Sequence, residues 1–154
     1  SRDWSSDVCS SDLPTDGSPL SEKAVKSAAQ LAALCGAKVT ALSVIPPYAE
    51  PVYAEGLSTG TLGSRKKYKE VTEKAARAAL DRVTAGIAAE GVKAGGTFVI
   101  GERPWESIIR VARAEKCDVI VMASHGRSGL SGMILGSETQ KVLTHSKIPV
   151  LVVR

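Results

Sequence analysis

The chain is 154 residues long, 44% apolar and 23% charged, with a formal net charge of +4. That is one domain with material for a single core, so neither a disulfide framework nor a structural metal is needed for folding. No apolar run approaches the roughly 20 residues of a membrane span, nothing reads as a signal peptide, and 4% aromatic residues leave no basic–aromatic interleaving for a single-strand binder, so neither membrane nor nucleic acid is an expected partner.

In chain order, Ser1 to Leu13 stands apart, with five serines, three aspartates and only Trp4, Val8, Cys9 and Leu13 as apolar material. Ser and Asp compete for backbone hydrogen bonds and form strands and helices poorly, so this stretch reads as a disordered tail or a foreign leader. Ser18-Pro19 then opens a helix, serine as N-cap and proline at the first helical position. Ala24, Val25, Ala28, Leu31, Ala32 and Cys35 follow at helical spacing, and Gly36 stops it. Lys38 to Ile45 is a β-branched strand ended by Pro46-Pro47, and Tyr48 to Ser64 reads as a loop.

A long helix spans Arg65 to Glu90, with a stripe of Tyr68, Val71, Ala75, Ala78, Ala79, Val83 and Ile87. Val92 to Ile100 is a strand weakened by Gly95-Gly96. Pro104 starts a helix that turns Trp105, Ile108, Ile109 and Ala112 inward. Asp118 to Ala123 is an unbroken apolar run, the mark of a strand buried on both faces. A Gly/Ser-rich loop covers Ser124 to Gly136, Ser137 caps a short helix to about His145, and Ile148 to Val153 is a last strand. The alternation predicts an α/β fold: a parallel sheet covered by helices on both faces and joined by right-handed crossovers. Cys9, Cys35 and Cys117 are far apart and without CxxC spacing. Cys35 and Cys117 read as small core residues, in keeping with a reducing, cytoplasmic setting.

Two segments carry chemistry. From Ala123 to Ser137 the chain leaves a buried parallel strand, places Gly126, Gly129, Gly132 and Gly136 within eleven residues, and enters a helix. Glycines allow close backbone approach, and the N–H groups at a helix start favour an anion. With Arg127 and the hydroxyls of Ser128, Ser131 and Ser137, this is a phosphate cradle in outline. It is neither a Walker A loop nor GxGxxG, and a glycine-rich surface loop fits the spacing equally well. The second segment is Pro14-Thr15-Asp16-Gly17-Ser18. Asp16 is suited to a ribose hydroxyl or an adenine amine, while Asp-Gly also makes an ordinary turn before a capped helix. In an open α/β sheet, ligands settle at strand carboxyl ends where the winding reverses, and two such segments there frame a nucleotide slot.

His125 reads as exposed or phosphate-near rather than a base, and His145 suits the dipole at a helix end. Two histidines do not make a histidine-rich metal site. Arg65-Lys66-Lys67 is a solvated helix start, and Glu102 and Glu106 complement a helix dipole.

PTDGS before the first helix, VIVMASHG, the nine residues Arg127 to Leu135, Gly136-Ser137 and the final IPVLVV together resemble the universal stress protein (UspA) family, over Pro14 to Arg154. The family loop G-x2-G-x9-G-[S/T] fits from Gly126 onward. The resemblance implies a doubly wound, Rossmann-like five-stranded parallel sheet of order 3-2-1-4-5. It also implies a cytoplasmic stress-response module that binds ATP or AMP, with Mg²⁺ as an accompanying ion, and a homodimer formed through Ile148 to Val153. By position, Asp16 would contact adenosine beside Pro14 and Thr15, and Val44 would pack on adenine. The backbones of Gly126, Gly129 and Gly136, with Ser137, would hold ribose and phosphates, flanked by Ala123, His125, Arg127 and Glu138.

Two departures stand out. Ala123 replaces the loop's first glycine and narrows the approach to the ribose. SSDVCSSDL occupies the place of the family's apolar first strand, so Ser1 to Leu13 is expected to be a non-native leader before a domain at 14–154, with Val8, Cys9 and Leu13 left to pair part of that strand. No nucleophile–base pair is visible, which leaves at most slow ATP hydrolysis. The alternative is a structural dimer module that binds no nucleotide.

Overall fold

A computed structural model of the chain describes residues 7–11, 19–49, 61–125 and 135–154, with residues 7–11, 19 and 61–64 described by backbone alone. Strands and helices alternate as β1 (Asp7–Ser11), α1 (Pro19–Cys35), β2 (Lys38–Ile45), α2 (Thr61–Ala89), β3 (Ala94–Ile100), α3 (Pro104–Ala114), β4 (Val119–Ala123), α4 (Ser137–His145) and β5 (Val150–Val153). The strand pairings among the described residues are parallel, in the order β3-β2-β1-β4-β5.

The serine- and aspartate-rich start supplies the central strand. Val8 is level with Val39 and Val119, and Ser10 with Ala41 and Val121. Ladder pairing uses the N–H and C=O that every residue carries. A segment of poor strand composition therefore still pairs when strong strands flank it on both sides, which its side chains alone do not predict.

Alternation along the strands divides the core in two. On one side Val39 and Val121 pack with Ala28, Ala29, Ala32 and Ile87 of α1 and α2, and Ala41 packs with Leu80. On the other, Leu42, Ile120 and Met122 meet Ile108, Ile109 and Ala112 of α3 and Val142 of α4. β4 is buried from Ile120 to Ala123, as an apolar run between two helical layers must be.

Several expectations are corrected. Cys35 is exposed, because α1 is ending there and Gly36, at φ +66, already turns the chain away. Cys117 is buried but disulfide-bonded, so the cysteines lend no support to a reducing setting. α2 begins at Thr61 rather than Arg65, in a turn whose Gly63 and Ser64 carry no apolar period. Its buried stripe runs through Ala76, Ala79, Leu80 and Ile87, while Val71, Ala75 and Ala78 are exposed. Leu80 is the largest apolar side chain in the middle of this helix, and seating it inward rotates the face. Gly95-Gly96 lies within β3; a Cβ on Gly96 would stand 3.1 Å from the Leu80 Cβ, so the missing side chain is what lets α2 lie close. The N-cap of α4 is Gly136, with Ser137 the first helical residue and no side-chain cap.

Candidate functional site

The carboxyl ends of β2 and β4 and the N-termini of α3 and α4 meet at one end of the sheet. Val44 and Ala123 each lie two residues beyond Leu42 and Val121, the last partners of β1 on their strands. Whatever sits over the end of β1 is therefore walled by both.

The loop that leaves β4 is fastened where it starts and where it ends. The Ser124 N–H donates to the Val153 carbonyl at 2.8 Å, and the Ser124 carbonyl accepts the Gly136 N–H at 2.7 Å. Thr139, buried on α4, donates its hydroxyl to the Ala123 carbonyl at 3.0 Å. A Cβ on Gly136 would stand 3.2 Å from both the Ser124 carbonyl oxygen and the His125 Cα. Glycine is thus required here for space, since neither backbone neighbour can yield. The outcome is a helix whose first turn sits directly under the end of β4. No side chain caps that turn, which leaves its N–H groups and dipole directed at the opening.

His125 is half-buried, with Nδ1 3.1 Å from Ser124 Oγ. Ser137 is exposed at the helix start. Glu138 is engaged elsewhere: one carboxylate oxygen accepts the Trp105 N–H at 3.0 Å and the other meets Lys141 Nζ at 2.9 Å. It ties α4 to the first turn of α3. Trp105 also stacks on His145, ring centroids 4.6 Å apart, so His145 has a packing partner in addition to the dipole. Glu106 pairs with Arg103 at 2.7 Å, and that carboxylate raises the Arg103 guanidinium above its ordinary value.

The structure thus brings together Ala123, His125, Gly136 and Ser137, with Val44 across the end of β1 and Glu138 turned to α3. Pro14, Thr15, Asp16, Gly126, Arg127 and Gly129 lie outside the described residues. Thr139 and Trp105 were missed as site-building residues; their roles are contacts between elements, which no local pattern announces. Among the described residues no group of three or more His, Cys, Asp or Glu side chains is placed to hold a metal ion, and no helix is long and apolar enough to cross a membrane.

Comparison with known proteins bears directly on this geometry. Residues 13–154 match the model of the Universal stress protein family. Universal stress protein MJ0531 of Methanocaldococcus jannaschii is 33% identical over 142 residues, covering 92% of this chain and 79% of that protein. The universal stress protein in the QAH/OAS sulfhydrylase 3' region of Thermus aquaticus is 33% identical over 146 residues, covering 92% and 96%. Among solved structures, MJ0577 superposes with a TM-score of 0.75 at 28% identity, over 96% of this chain and 94% of that one. A universal stress protein in complex with cAMP superposes with a TM-score of 0.65 at 26% identity, over 97% and 96%.

Proposed function

As the chain belongs to the universal stress protein family, we propose that it binds ATP or AMP over the carboxyl ends of β1 and β4 and acts as a stress-response regulatory module. The observation that carries this reading is the uncapped first turn of α4, held under the end of β4 by the Gly136–Ser124 and Thr139–Ala123 hydrogen bonds. That turn is a preformed set of N–H donors for phosphate. The relative solved with cAMP supports an adenine nucleotide as the ligand class.

In this reading β1 and β4 flank the switch point of a doubly wound sheet, where the crossovers reverse. The base packs on Val44, the ribose meets Asp16 beside Pro14 and Thr15, and the phosphates lie along the backbones of Gly126, Gly129 and Gly136 with Ser137. Ala123, His125 and Arg127 border them. Mg²⁺ enters with the phosphates, as no described side-chain cluster would hold it alone. Binding orders the 124–136 loop and alters the surface presented by the module; hydrolysis is at most slow, with positioning and no dedicated base. The reading also includes a cytoplasmic setting, which rests on the ligand and not on the cysteines.

Calorimetric titration with ATP and AMP tests the reading. Saturable binding that Gly126→Val removes, in a variant that still melts cooperatively, supports it. A folded protein that takes up neither nucleotide favours the structural dimer module instead.

A further inference from the structure

Gly101 follows β3 and donates its N–H to the Ile45 carbonyl at 3.0 Å, which sets it beside the end of β2. A Cβ there would collide with Ser107 Oγ and would stand 3.8 Å from Val44 Cγ1. Ser107 hydroxyl, Gly101 and Val44 therefore share one spot on the wall against which the proposed base packs. Ser107 is only 5% exposed, and among the described residues its hydroxyl has no hydrogen-bond partner, although the comparable buried hydroxyl of Thr139 has one. A buried hydroxyl left without a partner is costly, and such groups call for an explanation.

Ser107 also lines a cavity of about 410 Å³, with Ile100, Gly101, Arg103, Glu106 and Arg110 among its walls. The cavity's charges oppose one another. Arg103 is taken up by Glu106 at 2.7 Å, and Glu102 and Arg110 complete a lining of two acidic and two basic side chains. Such a lining carries no net charge to draw a polyphosphate and leaves room for a neutral heterocycle.

We propose that Ser107 is a specificity-determining residue that hydrogen-bonds the polar edge of the purine through its hydroxyl, with Gly101 kept free of a side chain to let the base approach. The inference rests on the nucleotide reading above. The Ser107 oxygen accepts from the exocyclic amino group of adenine, since a hydroxyl oxygen accepts as well as donates. Sites that hydrogen-bond a ligand reject analogues that leave the group unpaired.

The test is equilibrium binding of ATP and of purine riboside triphosphate, which carries hydrogen in place of the amino group. The proteins are the unmodified chain, Ser107→Ala and, should that variant fold poorly, the volume-conserving Ser107→Cys. The preferred nucleotide is expected to lose roughly three- to tenfold in affinity, with the ratio of the two affinities moving toward one. A merely structural serine would lower both affinities together and leave the ratio fixed. An unchanged ratio in a protein that still binds ATP overturns the role of Ser107 and leaves the nucleotide reading standing. If the unmodified chain binds neither nucleotide, both fall.

Discussion

At the scale of single residues, backbone geometry rather than charged side chains builds the site. Gly136 has φ −59, open to any residue, so its importance is spatial. Gly136→Ala drives a methyl against the Ser124 carbonyl, and a cost of about 1–3 kcal/mol in stability is expected from such overpacking, together with weaker nucleotide binding. Chemical denaturation beside a binding titration reads both, and a variant unchanged in each would mean that the β4–α4 crossing is looser than the 3.2 Å approach implies. Thr139→Val separates the hydroxyl from the volume. It leaves the Ala123 carbonyl without its side-chain donor, at about 1–3 kcal/mol, while Thr139→Ser keeps the bond and gives up only a methyl. The ordering Thr, then Ser, then Val in denaturation midpoint is the expected result; equal midpoints for the two variants would remove the hydrogen bond from the account.

Among the elements, β1 is the one whose side chains and position disagree. Ser10 is level with Ala41 and Val121, both fully buried. Replacing Ser10 by Val is expected to raise the melting midpoint, by roughly 1 kcal/mol of added apolar burial. A lowered midpoint would contradict the placement of β1 between β2 and β4. The same strand marks the limit of sequence reading. β2, β4 and α3 were legible because their side chains carry the signal: a β-branched run, an unbroken apolar run, and Ile108, Ile109 and Ala112 at helical spacing. β1 carries its signal in the backbone pairing, which leaves no trace in composition. α2 was legible as a helix but not in its facing. Ala75, Ala76, Ala78 and Ala79 offer little contrast, and the face is decided by Leu80 against the bare Gly96. In the site, Gly136-Ser137 was visible as a glycine–serine punctuation before a helix. The Thr139–Ala123 and Glu138–Trp105 bonds join residues 16 and 33 apart, and such contacts exist only once the fold does.

At the scale of the whole molecule, β5 lies at the edge of the sheet, with Leu151 41% exposed on it and Leu143 of α4 42% exposed. An edge strand with open backbone groups and apolar side chains favours pairing with another copy. We therefore expect a homodimer through Ile148 to Val153, dissociated by Leu151→Asp in sedimentation velocity with the melt still cooperative. A chain monomeric at high concentration before any substitution would remove the dimer from the account.

Nucleotide binding itself is tested most directly by a melting titration with and without Mg-ATP. A ligand that binds only the folded state adds ~2.7 kcal/mol at a hundred times its Kd, a shift easily seen in the midpoint of a protein of this size. A saturable rise with ATP or AMP, removed by Gly126→Val, is the expected result. A cooperative melt that neither nucleotide moves, up to millimolar concentration, would contradict it.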